Sequence, residues 1–147
     1  MFMGEFNHSI DVKGRLILPS RFREELGGQC VISKGYEGCL NVYPAGEWDK
    51  FVQDLTKLNA HNADARRVLR IFASGAAPCE MDKQGRVVVP PTLREFAKLD
   101  GEKTEVVVVG ALSKIEVWNA ALWREYNEGE DSITLEEAGA NLTNFGI

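Results

Sequence analysis

The sequence predicts a β-rich α+β fold made of two tandem β-α-β-β units, and three observations carry that prediction. The chain repeats itself. Each copy contains short β-branched and leucine runs punctuated by glycine and proline, and each closes on a helical stretch with an aligned tryptophan.

Residues 11–24 (DVKGRLILPSRFRE) match residues 82–95 (DKQGRVVVPPTLRE) at an offset of 71, with identities on Asp, Gly, Arg, Pro, Arg and Glu. The match resumes at an offset of 75, where residues 39–48 (CLNVYPAGEW) align with 114–123 (KIEVWNAALW). Each unit is roughly 45 residues, too short to bury a stable core alone, so the two are expected to share one.

Both units read alike from their beginning. An extended stretch (Glu5 to Ile10; Ala77 to Met81) leads to a turn where Gly14 or Gly85 supplies a positive φ. The aspartate opening each turn, Asp11 or Asp82, can accept hydrogen bonds from nearby backbone N–H groups. A strand follows (Arg15 to Leu18; Arg86 to Val89), and proline ends it. A short helix comes next: Ser20 is the expected cap of the first, which Gly27 and Gly28 end, and Thr92 with Glu95 form an expected capping box for the second. Strands Cys30 to Ser33 and Leu40 to Tyr43 make a hairpin, as do Glu105 to Val109 and Ile115 to Trp118. The closing helices carry Trp48 and Trp123, read as core residues rather than base-stacking platforms. Between the units, Ala63 to Phe72 reads as a connecting helix whose Arg66, Arg67 and Arg70 are surface or subunit-interface charges. The expected organisation is therefore unit 1 over 5–49, connecting helices over 50–75, unit 2 over 76–125, and an acidic, loosely held tail over 126–147.

Charge and composition narrow the function. The net charge of −5 argues at first against nucleic acid, but six acids and no Lys or Arg lie from Glu125 onward. The remainder holds 17 basic against 16 acidic residues, so a locally basic face is possible on particular side chains. No apolar run approaches the roughly 20 residues of a membrane span. The first residues (MFMGE) show no basic stretch leading into an apolar one, so no export signal is expected there. Three cysteines, Cys30, Cys39 and Cys79, without a C-x-x-C pair, fit buried thiols in a reducing compartment. A cytoplasmic location is expected, with no metal and no cofactor.

Two Asp-x-x-Gly-Arg hairpins, each followed by a β-rich run, proline and a short helix ending in Arg-Glu, resemble the AbrB-type (SpoVT-AbrB) swapped-hairpin unit. Two such units in a chain of this length, beginning Met-Phe-x-Gly, resemble the MraZ family over residues 1 to about 127. One hairpin alone would be a weak signal; the duplication is the strong one. The resemblance implies that the two units interlock their hairpins within one polypeptide as a pseudo-twofold barrel. It also implies a ring-forming, nucleoid-associated regulator that binds repeated double-stranded DNA sites upstream of an operon for cell division and wall synthesis. The family's D-x-K-G-R element falls on Asp11, Lys13, Gly14 and Arg15, and on Asp82, Gln84, Gly85 and Arg86, with Gln84 replacing the lysine and Lys83 beside it.

DNA contact is accordingly expected from Arg15 and Arg86, whose guanidinium forks suit phosphates and guanine edges, with Lys13, Lys83 and Arg21 as further contacts. Asp11, Gly14, Asp82 and Gly85 are expected to shape the hairpins. The competing reading is a purely structural Asp–Arg staple at each turn, and the two are compatible. For Arg23 and Arg94, phosphate contact and intramolecular pairing stand level. Enzymatic constellations are missing: His8 and His61 lie near no metal-ligand or nucleophile pattern, His8 and Ser9 point to opposite faces of a strand, and there is no phosphate-binding glycine motif. The alternative of another class is an AbrB-like, antitoxin-type module that binds a protein partner. The short tail and the presence of two units count against it.

Overall fold

The computed structural model describes residues 1–142. The first half runs β1 (Glu5–Asp11), β2 (Arg15–Ile17), α1 (Ser20–Leu26), β3 (Gln29–Lys34), a 3₁₀ turn (Tyr36–Gly38), β4 (Leu40–Pro44), α2 (Ala45–Thr56) and α3 (Ala63–Gly75). The second half runs β5 (Ala77–Glu80), β6 (Arg86–Val88), α4 (Pro91–Phe96), β7 (Lys103–Gly110), β8 (Ile115–Asn119), α5 (Ala120–Glu128) and α6 (Leu135–Ala140).

All eight strands join one antiparallel sheet in the order β5-β3-β4-β8-β7-β1-β2-β6. The first strand of each half leaves its own unit: β1 pairs with β7, and β5 pairs with β3. Like strands meet across a pseudo-twofold axis, β2 with β6 and β4 with β8. The end strands β5 and β6 are joined by the second turn, where Asp82 N–H donates to Arg86 O at 2.9 Å, so the sheet is a nearly closed barrel. This is the interlocked β-rich α+β architecture that the family resemblance implied.

Period-two alternation decides what fills the barrel. Ile10, Leu16, Leu18 and Ile32 from the first half meet Val87, Val89, Val106 and Ile115 from the second, all at most 1% exposed. Phe22 of α1 and Leu93 of α4 belong to the same core cluster. Neither unit could bury these residues alone, because β1 and β5 each pair with a strand of the other unit.

Several local expectations are corrected. Ser20 does not cap α1: it is the helix's first residue, Pro19 occupies the N-cap, and no side chain caps. Thr92 and Glu95 form no capping box, since Pro90 is the N-cap of α4 and Pro91 enters its first turn. Proline has no N–H to satisfy and its φ is already helix-compatible, so the residue that stops each strand also starts each helix. Gly27 does end α1, at φ 79°. Trp48 and Trp123 are half-buried and stand outside the shared core, in two separate aromatic clusters. The stretch after Asn127, expected to be loosely held, contains α6, whose Thr134 side chain accepts a hydrogen bond from Glu137 N–H. The rest of that expected tail, 143–147, lies outside the described residues. Among the described residues no helix is long and apolar enough to cross a membrane.

The β2/β6 crossing yields a direct test. Leu16 is fully buried and Ile17, the next residue, is 45% exposed. Leu16→Ala is expected to cost about 2–5 kcal/mol in denaturant unfolding, and Ile17→Ala to stay within about 0.5 kcal/mol. A larger cost at Ile17 than at Leu16 would mean that the strand faces are reversed.

Candidate nucleic-acid interface

The two turns are built alike, atom for atom. Asp11 Oδ1 accepts the N–H groups of Lys13 (3.0 Å) and Arg15 (2.9 Å), and Asp11 Oδ2 accepts Arg15 Nε at 2.6 Å. Asp82 Oδ1 accepts the N–H groups of Gln84 and Arg86, each at 2.9 Å, and Asp82 Oδ2 accepts Arg86 Nε at 2.9 Å. Gly14 and Gly85 take φ of 81° and 77°, and their N–H groups return to the carbonyls of Asp11 and Asp82. The Asp carboxyls are held below the ordinary value of 3.8, chiefly by the donated N–H of Arg15 or Arg86.

Each turn is then gripped by the opposite unit. Gly14 O accepts Val89 N–H at 2.8 Å, and Gly85 O accepts Leu18 N–H at 3.0 Å. Arg94 reaches from α4 to Val89 O through Nε (3.1 Å) and to Val12 O, at the first tip, through Nη1 (2.7 Å). Arg23 of α1 donates to Leu18 O at 2.9 Å and lies against the second turn. A Cβ at Gly14 would stand 2.6 Å from Val89 O, and one at Gly85 would stand 2.7 Å from Arg23 Cδ. Both positions thus favour glycine for its φ, and Gly14 also for its missing side chain, because its neighbour there is backbone. Arg23 and Arg94, level at first between phosphate contact and internal pairing, are engaged within the fold.

The register sets which side chains share the outer face. Arg15 lies opposite Val88 and Arg86 opposite Ile17, so the arginines are diagonal neighbours about 7–8 Å apart across the pseudo-dyad. With Leu16 and Val87 inside, Arg15, Ile17, Arg86 and Val88 all face outward. The arginine side chains are 42% and 31% exposed. Each is held only through Nε; among the described residues, their terminal Nη groups have no hydrogen-bond partner. Lys13 and Lys83 are exposed at the tips. The face therefore carries four cations against two carboxylates, both of which are committed to the turns.

Arg21 stands apart from this group. It sits over the Phe6 ring at 5.9 Å, five residues from Asp11 and roughly 17 Å along β1. Sequence reasoning overlooked Ile17 and Val88 as face residues, taking them as part of an apolar run. The signal was present: alternation from Arg15 puts Leu16 in and Ile17 out.

A family model described as "MraZ protein, putative antitoxin-like" matches the chain twice, over residues 1–71 and 72–145. The transcriptional regulator MraZ of Moorella thermoacetica is 49% identical over 147 residues, covering all of both chains. Those of Desulforamulus reducens and Carboxydothermus hydrogenoformans are 48% and 46% identical over 145 residues, covering 99% of each chain. The chain belongs to the MraZ family, a family of transcriptional regulators and not of enzymes.

Proposed function

We propose that this chain is a sequence-specific, double-stranded-DNA-binding regulator that reads DNA with the outer face of the β2/β6 ribbon. One observation carries the reading. Two guanidinium groups are fixed at Nε by their own turns, leave their Nη ends unpartnered, and stand side by side on an open face about a pseudo-dyad. A two-stranded ribbon fits the major groove, where arginine pairs with guanine O6 and N7 and apolar side chains meet thymine methyls. Arg15 and Arg86 supply the first kind of contact, and Ile17 and Val88 are placed for the second. Lys13 and Lys83 at the tips suit flanking phosphates. Arg21 is too far along β1 for that group and is assigned, at most, an outlying phosphate.

Four cations on one face make few phosphate contacts, and the chain as a whole is acidic. Affinity per module is therefore modest, and useful occupancy comes from an oligomer engaging tandem sites, a ring in the family resemblance. That resemblance alone supplies the target, an operon for cell division and wall synthesis, and the cytoplasmic, nucleoid-associated location follows from the DNA partner.

Changing Arg15 and Arg86 together to Ala is expected to weaken binding to a specific duplex by at least about 30-fold, at about 1–3 kcal/mol per lost pair, and to flatten the salt dependence. Oligomer mass, measured in parallel, should not change. Unaltered duplex affinity would refute the assignment of the face.

The staple itself is pH-dependent, and its sign is fixed. A carboxyl whose folded value is depressed supports the fold above its unfolded value and loses that support as pH falls through the folded one. The aim of Arg15 and Arg86 should thus hold at neutral pH and fail only in acid below about 3.8. Side-chain carboxyl NMR should show Asp11 and Asp82 titrating below that value; a midpoint at or above it would remove the staple. At neutral pH, the Asp11→Asn, Asp82→Asn double variant should keep non-specific DNA binding but discriminate about 10-fold less between specific and random duplexes.

A further inference from the structure

The internal duplication shows which surface is missing its cover. In the first half, Tyr43, Trp48 and Phe51 pack together with ring centroids 5.4–5.7 Å apart. Phe72 of α3, 6% exposed, closes over them, 5.2 Å from Phe51 and 5.5 Å from Tyr36. At an offset of 75 the second half repeats all three aromatics as Trp118, Trp123 and Tyr126, with Trp118 5.1 Å from Trp123 and 5.2 Å from Tyr126. Among the described residues no long helix follows to seal them. The six-residue α6 has no buried residue, Tyr126 is 51% exposed, and Ile133 and Leu135 are 59% and 84% exposed.

A groove of about 1040 Å³ opens there between α5 and the segment leading into α6. Its apolar wall is Trp118, Tyr126, Ile133 and Leu135, and its rim carries Glu37, Glu125, Glu130 and Asp131. None of those four carboxylates forms an ion pair among the described residues. Glu37 comes from the first half, held on the 3₁₀ turn at φ 60°.

The complementary surface is in the same chain. Helix α3 turns Val68 and Phe72 toward its own unit and leaves Arg66, Leu69, Arg70 and the neighbouring Arg67 outside. Leu69 and Ile71 are each 38% exposed. The three arginines also make no ion pair among the described residues, and only Arg66 makes a side-chain hydrogen bond, to Ala60 O at 3.0 Å. On the exposed face of α3 the three arginines lie together between Leu69 at one edge and Ile71 at the other, so unpaired cations beside exposed apolar side chains meet an apolar groove rimmed by unpaired anions. At an interface such complementarity steers association and fixes register.

We propose that α3 of one copy docks its Arg66-Arg67-Leu69-Arg70 surface into the α5–α6 groove of another, covering in the second half what α3 covers in the first. The acidic segment after α5 is then an assembly element. This inference rests on the reading of the chain as an oligomeric regulator and supplies its subunit contact.

Sedimentation of the full chain without DNA tests it. The parent protein is expected to run at a multiple of one chain's mass, and to fall toward one chain as salt rises. Arg66→Glu, Arg67→Glu, Arg70→Glu should run as single chains, and so should Glu125→Lys, Glu130→Lys, Asp131→Lys. Mixing the two variants should restore the higher mass, because each then offers the other a matched surface. That rescue also shows that both variants are folded. Two results would overturn the proposal: reversal variants that assemble like the parent, or a parent that stays a single chain. If deletion of residues 143–147 turned a single-chain parent into a multimer, the groove's occupant would be the chain's own end, and the proposal would again fall. Binding of a short duplex with one site, measured on the same variants, separates this from the DNA reading. Loss of assembly with single-site binding kept indicts the interface alone; loss of single-site binding in Arg15→Ala, Arg86→Ala with mass kept concerns only the hairpins.

Discussion

Pairing of β2 with β6 constrains everything else in this molecule. Each is a three-residue strand at the end of a hairpin, too little to persist in isolation. Set against each other at Leu16↔Val87, with Gly14 O taking Val89 N–H and Gly85 O taking Leu18 N–H, they become a seam along which the two halves of the barrel are joined. Burying Leu16 and Val87 leaves Arg15, Ile17, Arg86 and Val88 no direction but outward. The outward face is therefore a consequence of core packing: whatever stabilises the seam also sets the spacing of the two arginines. A side chain on either turn glycine would meet an arginine or carbonyl of the other unit, so the hairpin tips have little freedom to drift.

Within that frame, the Asp–Arg pairs are better understood as aiming devices than as stabilisers. Exposed ion pairs contribute little to folding, and these are 31–43% exposed on either side. What they do is fix direction. Each carboxylate uses one oxygen on two backbone N–H groups and the other on Nε, so both backbone and guanidinium are held by a single side chain. The staple uses Nε of each arginine and leaves the Nη nitrogens outside it. In the DNA reading proposed above, an arginine restrained beforehand loses less rotamer freedom on binding.

How much of this could be read from the sequence depended on whether the signal was local or repeated. The hairpins, the shared core and the four hairpin residues Asp11, Gly14, Asp82 and Gly85 were legible because duplication doubled a weak motif. The helix starts were misread because Ser20 and Thr92 look like caps, whereas Pro19 and Pro90 hold the N-cap positions and offer only their carbonyls, to Phe22 N–H and Leu93 N–H. Arg21 was grouped with the hairpin by proximity in sequence, but α1 carries it back beside Phe6, at the far end of β1. Arg23 and Arg94 could not be resolved from sequence, since their partners are carbonyls, Leu18 O, Val89 O and Val12 O, that only the folded chain brings within reach.

The two halves agree where the seam lies and differ where the helices lie, and that difference has a physical consequence. Around β2/β6 the duplication is nearly exact in geometry, so the arginine face has a pseudo-dyad, and in the DNA reading proposed above it meets the two strands of a duplex equivalently. On the helical side, the same three aromatic positions are sealed by α3 in one half and left open beside an acidic rim in the other. A molecule symmetric on both sides could only mate like with like. Here the symmetric face is free for a symmetric ligand, while the unlike patches permit contacts between different surfaces of successive copies. In the assembly proposed above, the −5 net charge ceases to oppose DNA binding: the anions that dominate it lie on the docking side, where α3 arginines of a neighbour neutralise them, away from the ribbon that carries Arg15 and Arg86.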